Sequence, residues 1–353
     1  KRIKKSLAFC AGLFYNQFTI IFCRHRRLFK SIQSISRRTM QSMIMAQSAW
    51  NRVKGVCMSY EEFVSGMELE LKSLVSDNLL VSVQKTLKNN GYLRCGIRLS
   101  EKNINISPTI YLEEFYEKYQ YGTDMHTLAE QIMKIYQKVR IEHSWKEDWI
   151  YEFPGVKNKI VYRLINREKN KKLLSEVPYM PWKDLAIVFY LLLEMDEHQM
   201  QQATMLIKKE QLEWWNTSTE DLYQNAMLNT EKLLPYELTN MYALLTEMLG
   251  VEEIEDHLTA EESMYVLTNQ MRSFGAAAVL YPGRLEMLAL YLKENFYILP
   301  SSVHEMIILP ESGALPKEEL NAVIQEINGS QVNAEEYLSD HAYYYDRVRK
   351  CVM

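Results

Sequence analysis

The sequence is poor in the residues that mark several protein classes. Its 353 residues include only 12 Gly, 9 Pro and 5 Cys. So little glycine excludes a collagen-like chain, and 47% hydrophobic residues exclude an intrinsically disordered one. Only Cys95 and Cys351 lie beyond residue 57, which is too few for a disulfide framework, and we expect both to remain reduced thiols. We therefore expect a cytoplasmic globular protein of one or two domains.

Acidic residues are missing from the start of the chain, where the first is Glu61. Residues 1–57 hold twelve of the 41 basic residues and none of the 45 acidic ones, so the remainder carries a net charge of −16. The basic segment has three interpretations: an upstream translation artefact, a membrane or targeting segment built on the apolar run 6–23, or a nucleic-acid-binding arm. Ser59 and Glu62 form a capping-box pattern, which favours a folded domain that begins near Met58.

The familiar short motifs of cofactor and metal chemistry are absent from the sequence. It has no phosphate-binding glycine loop, no dinucleotide-binding glycine fingerprint, no nucleophile elbow around a serine, and no paired Cys or His at zinc-site spacing. These absences disfavour a cofactor-dependent reaction, and we expect neither a cofactor nor a metal site.

The N-terminal half of the folded region alternates helical and strand patterns. A helix with one apolar face begins after Ser59. Two apolar segments, 79–87 and 92–99, flank an Asn-Gly turn and predict a β-hairpin. A long amphipathic helix over 125–139 follows, with a Thr or Asp as its cap. This portion is expected to be helix, hairpin and helix.

The C-terminal half mixes strands and helices without a strict βαβ order. The apolar run 185–193 predicts a central strand buried on both faces, with 203–207 as its hairpin partner. We further predict one or two helices at 156–174, a helix that follows the cap residues 217–221 and ends at 234, and helices at 237–249, 285–292 and 320–327. Strands are predicted at 265–268, 276–280, 297–299, 303–309 and 342–345. The fold class is α+β, with a mixed or antiparallel sheet covered by helices. We divide the chain into the basic segment 1–57 and two portions, 58–180 and 181–353, with the acidic stretch 252–262 as a linker.

The best catalytic candidates lie in the Pro-Ser-Ser-Val-His-Glu segment that ends at Glu305. On a strand, Ser302 and His304 share one face, whereas Glu305 points to the other face and cannot orient the imidazole. A working nucleophile then needs a third group, such as Asp340. Alternatively, the two serines satisfy a turn and His304 is an ordinary strand residue. Ser301 and Glu305 are binding candidates in either case.

A run of seven basic residues between 157 and 172 is a second candidate site, with Glu168 as its only acid. On a helix, Lys159, Arg163 and Arg167 share a face that can grip phosphate groups. The alternative is a solvated basic face or a partner for an acidic surface.

Several segments together resemble an uncharacterised family. They are residues 105–112, 164–166, 264–269, 275–277 and 298–305. The pattern resembles the family numbered 5688 in the domain-of-unknown-function series, from anaerobic gut Gram-positive bacteria, over about residues 58–350. The downstream half has a more distant similarity to the family numbered 1444. The resemblance implies a domain start near Met58 and no assigned activity, substrate or catalytic residue.

We therefore expect a non-enzymatic binding protein with an unidentified protein or small-molecule partner. The alternatives are a hydrolase-like activity centred on Ser302 and His304, and phosphate or nucleic-acid binding through 157–172. The net charge of −16 argues against a nucleic-acid partner. Membrane association is expected only if residues 6–23 are an anchor.

Overall fold

The computed structural model consists of antiparallel sheets covered by helices, which confirms the predicted α+β class. Its described residues fall into two compact units, the smaller with those of 58–88 and 92–140 and the larger with those of 89–91 and 150–353. The described residues are 58–76, 78–101, 107–140, 150–196, 201–241, 243–244 and 264–353, without the side chains of 194–196 and 201–203. The basic segment 1–57 and the stretch 252–262 lie outside them.

The smaller unit contains the predicted helix, hairpin and helix around one hydrophobic core. Its elements are α1 (Tyr60–Leu74), β1 (Leu79–Leu87), β2 (Leu93–Glu101), β3 (Thr109–Tyr111), α2 (Glu113–Gln120) and α3 (Met125–Val139). The three strands form an antiparallel sheet in the order β1-β2-β3. Ser59 caps α1 through the predicted capping box, and Asp124 caps α3 by accepting from the backbone N–H of Thr127.

The larger unit begins with a short helix and a 3₁₀ turn that lead into the first strand. Its elements are α4 (Phe153–Val156), β4 (Ile160–Asn166), α5 (Lys171–Glu176), β5 (Tyr179–Trp182), β6 (Leu185–Asp196), β7 (Gln201–Leu206), α6 (Lys209–Trp215), α7 (Thr219–Leu233), β8 (Tyr236–Asn240), β9 (Tyr265–Asn269), α8 (Arg284–Leu292), β10 (Phe296–Ser302), β11 (Glu305–Pro310), α9 (Lys317–Ser330), β12 (Tyr343–Asp346) and β13 (Cys351–Val352).

Two antiparallel sheets form the larger unit. One has the order β13-β12-β10-β11-β9-β8, and the other has β4-β6-β5 with β7 also paired to β6. The main core combines one face of each sheet with α7 and the 3₁₀ segment Gly275–Leu280. The central strand β6 and its partner β7 confirm the prediction for the 185–193 run. Polar and apolar residues need not alternate in this strand, because apolar clusters lie on both of its faces.

Three predicted elements have a different structure. Residues 160–166 form β4 rather than a helix, because this β-branched and aromatic segment is buried on both faces of a sheet. Residues 276–280 are a 3₁₀ segment rather than a strand, since three small alanines there pack closely against the core. The helix predicted at 237–249 begins instead as strand β8, which pairs with β9, and 245–249 lie outside the described residues.

The strand predicted at 303–309 begins two residues later. Ser302 pairs with Glu305, so Val303 and His304 form the turn between β10 and β11. The structure also divides the chain near residue 148, whereas the predicted portions meet at 180 and 181. Strand β4 lies before that predicted boundary and pairs along its whole length with β6, which lies after it.

Candidate functional site

The most unusual charge in the larger unit is the guanidinium of Arg163, at the centre of β4. Alternation along the strand directs Tyr162 and Leu164 to the main core and Arg163 to the opposite face of the sheet. Two apolar clusters occupy that face, and they include Ile165 and Val161 on either side of the arginine. Only 5% of Arg163 is exposed. An arginine is rarely buried to this degree without a paired carboxylate.

Arg163 has no carboxylate partner among the described residues. Its guanidinium donates to the Thr204 hydroxyl at 3.1 Å. The guanidinium carbon lies 4.1 Å from the ring centre of Tyr190 and 3.8 Å from that of Phe274, so the cation is held against two aromatic faces. Burial lowers the pKa of Arg163, and the Tyr190 phenol acts in the opposite direction. We call Arg163, Tyr190, Thr204 and Phe274 the arginine site.

Phe274 reaches Arg163 from a strained loop. Arg272 and Phe274 have φ angles of 47° and 53°, in the left-handed region that bulky residues rarely adopt. Such strain persists only where the surroundings impose it, and it concentrates at functional sites. Asn269 fixes the loop by donating to the Ser273 carbonyl at 3.0 Å, and Arg272 forms an ion pair with Glu237 at 2.6 Å.

His304 holds the same loop from the β10–β11 turn. Its Nδ1 accepts the backbone N–H of Phe274 at 3.1 Å, and its Nε2 lies 3.8 Å from a carboxylate oxygen of Glu336. A neutral imidazole that accepts at Nδ1 carries its proton on Nε2, which then faces Glu336. The His304 carbonyl also accepts from the Thr268 hydroxyl at 2.7 Å. His304 therefore positions Phe274 rather than a serine nucleophile.

Glu305 is a buried carboxyl next to this turn. It is 3% exposed, and Ser301 donates to its Oε1 at 3.1 Å. Burial raises the pKa of Glu305 to about 7, against smaller lowering effects of the Ser301 hydrogen bond, His304 and Arg272. The side chain therefore titrates near neutral pH inside the fold.

The predicted catalytic residues are not brought together as a nucleophile, base and acid. The Ser302 hydroxyl accepts the backbone N–H of His304 at 3.1 Å, and the imidazole contacts Phe274 and Glu336. Asp340 accepts from the Asn328 amide at 2.7 Å instead of contacting His304. The carboxylate beside the imidazole is that of Glu336, which the sequence reasoning did not select.

The predicted phosphate-gripping helix is wrong, because its three residues lie on different elements. Lys159 is exposed on a 3₁₀ turn, Arg163 is buried within β4, and Arg167 is exposed beyond the end of the strand. Tyr190 and Phe274 were missed altogether. A signal for the site was present in the sequence, since Arg163 interrupts an otherwise apolar run from 160 to 165.

The fold and the arginine site define an α+β protein with a buried cation that contacts a strained aromatic residue and, among the described residues, has no carboxylate partner. The chain belongs to the Family of unknown function (DUF5688), whose profile matches residues 60–347, and this match confirms the predicted membership of the family numbered 5688. Comparison with curated proteins and with solved structures gives no significant match. Within the described ranges, no helix is both long and apolar enough to cross a membrane, and no group of three potential ligand side chains is arranged to hold a metal ion.

Proposed function

We propose that this protein binds a small molecule through a carboxylate or phosphate group, with Arg163 as the anion-binding residue. The observation that carries the proposal is a 5%-exposed guanidinium without a carboxylate partner in the described part of the chain. The predicted reduced state of Cys95 and Cys351 fits a cytoplasmic location, which belongs to the same proposal.

The chemistry of the arginine site favours an oxyanion as the missing partner. A guanidinium presents five N–H donors in a planar fork that matches carboxylate and phosphate groups. Thr204 contributes an uncharged hydroxyl, and the aromatic faces of Tyr190 and Phe274 stabilise a cation without neutralising it. An anionic ligand would supply the countercharge, and its binding at a desolvated site would be strengthened by the low local dielectric.

The strained loop supports a binding role for the same residues. Phe274 stacks directly on the guanidinium and is held in the left-handed region by His304. Strain at a residue that covers a charge is a feature of ligand clamps. The hydrolase alternative has less support, because the Ser302 hydroxyl is committed to the His304 backbone rather than to its imidazole.

The proposal predicts an arginine-dependent thermal shift. Wild-type protein, Arg163→Lys and Arg167→Lys are heated with increasing acetate, succinate or inorganic phosphate at constant ionic strength. At a hundred times Kd, a ligand stabilises the native state by about 2.7 kcal/mol, or roughly 5–10 °C for a unit of this size. We expect this shift for wild-type protein and Arg167→Lys, because Arg167 is exposed, and at most a third of it for Arg163→Lys.

A further variant separates binding from a structural role. Arg163→Met keeps much of the side-chain volume and removes the unpaired charge, so the unliganded variant should unfold at the wild-type temperature or above it. A wild-type shift that Arg163→Lys retains in full, or no shift with any of the three anions, would contradict the proposal. Severe destabilisation of Arg163→Met would show that the guanidinium has a structural role in the sheet.

A further inference from the structure

The apolar clusters beside Arg163 restrict the kind of anion that the arginine site can take. The buried members of the first are Ile165, Leu174, Val177, Ala186 and Val188, and those of the second are Val161, Leu192, Leu234 and Met271. Tyr190 packs against both clusters, and its ring contacts the guanidinium. The cation is therefore bordered by hydrocarbon in both directions along β4.

The arginine site lies just below the surface of the larger unit. The three side chains that contact the guanidinium, those of Thr204, Tyr190 and Phe274, are each partly exposed. The apolar side chains that pack against the two clusters and are also partly exposed include Leu173, Leu206 and Leu233. A ligand whose charged group reaches the guanidinium from this side places its remaining atoms against apolar surface.

The charge of the site favours an anion with a single negative charge. Of the four residues that form it, only Arg163 is charged, and its hydrogen-bond partner is the Thr204 hydroxyl. A carboxylate would neutralise the guanidinium. A phosphate monoester is mostly dianionic above pH 7, so it would leave a net negative charge in a desolvated place. The net charge of −16 over residues 58–353 also repels a dianion more strongly than a monoanion.

Leu206 is the apolar side chain best placed to contact the body of such a ligand. It follows Thr204 by two residues on β7, so both side chains lie on the Arg163 face of the sheet. In the β6–β7 register it is paired with Tyr190. Leu206 is thus a neighbour of two of the residues that contact the guanidinium.

We infer that the ligand of Arg163 is a monocarboxylate with an apolar chain of several carbon atoms. Its carboxylate pairs with the guanidinium, and its chain lies against Leu206 and the other partly exposed apolar side chains of this face. Removing that chain from water adds affinity that acetate or inorganic phosphate cannot gain. The inference rests on the proposed function and narrows it from small anions in general to hydrophobic monocarboxylates.

The test is isothermal titration calorimetry of the full chain with butyrate, pentanoate and hexanoate at pH 8 and constant ionic strength. Each added methylene should lower Kd about fourfold, so hexanoate should bind roughly 15-fold more tightly than butyrate. Hexanol lacks the charge, and hexyl phosphate is a dianion at this pH. Each of these two should bind at least roughly tenfold more weakly than hexanoate.

Two variants separate the charged end of the ligand from its apolar chain. Arg163→Lys should weaken all three acids by a similar factor of roughly ten or more, because it removes the planar fork and leaves the apolar side chains in place. Leu206→Thr should weaken hexanoate by roughly five- to tenfold and reduce the dependence on chain length. Met205→Thr is the matched control, since Met205 is the adjacent, partly buried residue of β7 and faces the main core. It should bind each acid within about twofold of wild type.

The outcomes distinguish this inference from the proposed function. Equal affinities for the three acids, all reduced in Arg163→Lys, would overturn the apolar ligand class and retain anion binding by Arg163. The class is also overturned if hexanol or hexyl phosphate binds as tightly as hexanoate, or if Leu206→Thr behaves like Met205→Thr. If none of the three acids binds, the inference fails, and the thermal shift with phosphate and succinate decides separately on anion binding.

Discussion

Gly275→Ala is expected to lower the free energy of unfolding of the larger unit by about 3 kcal/mol. A β-carbon at this position would stand 2.5 Å from the Asn269 backbone nitrogen and 2.7 Å from the His304 carbonyl oxygen, and even nearer to the Thr268 hydroxyl. Two of these neighbours are backbone atoms of β9 and of the β10–β11 turn, so they cannot rotate away. The substitution should also displace Phe274, the preceding residue.

Gly329→Ala is the matched control for that variant. Gly329 lies near the end of α9, and a β-carbon there would meet nothing within 4 Å. Alanine is preferred to glycine in a helix by roughly 0.5–1 kcal/mol, so this variant should be as stable as wild type or more stable. Urea denaturation followed by tryptophan fluorescence compares the two. Equal stability of both variants would contradict the close packing around Gly275, because it would show that a β-carbon fits there.

Glu305→Gln should change the pH dependence of stability. Glu305 holds its proton up to about pH 7 in the folded state, whereas its ordinary pKa is 4.5. The folded protein therefore binds more protons than the unfolded chain between these values, and stability falls as pH rises from 4.5 to 7. The glutamine side chain is uncharged at every pH, and it therefore resembles the protonated carboxyl group of Glu305. The variant should match wild type near pH 4.5 and exceed it at pH 8 by about 3 kcal/mol, from 1.36 kcal/mol per pKa unit.

The measurement is urea denaturation of wild type, Glu305→Gln and Glu326→Gln from pH 4.5 to pH 8. Glu326 is an exposed residue of α9, and its variant should follow the wild-type curve throughout. Ser301, His304, Arg272 and Glu336 face Glu305 and remain present in both variants. A stability difference between Glu305→Gln and wild type that stays constant with pH would contradict a buried, protonated Glu305.

Local signals predicted the elements whose determinants lie close together in the sequence. The capping box at Ser59, the Asn-Gly turn of the first hairpin and the uninterrupted apolar run of β6 each act within a few residues. The error at β4 has a physical cause. Arg163 suggested a solvated helix face, yet its neighbours are β-branched and aromatic, and pairing with β6 buries the whole segment.

The candidate site was only partly accessible to sequence reasoning. Residues around His304 were selected for their chemistry, but the turn geometry that directs the imidazole at the Phe274 backbone arises from the register of β10 with β11. The contact of Phe274 with Arg163 joins a loop after β9 to a strand of the other sheet. No local pattern specifies that contact, because it depends on how the two sheets pack.

Anion binding by Arg163 can be measured directly on the Arg163 guanidinium. In the ¹H–¹⁵N spectrum of arginine side chains, the Nε–H signal of Arg163 is identified as the one that disappears in Arg163→Lys, and it is followed during titration with inorganic phosphate, acetate and succinate. An anion-binding Arg163 should give a saturable shift of this signal with at least one anion, while the Arg167 signal moves only with ionic strength. An Arg163 signal that stays in place with all three anions would contradict an anion-binding role.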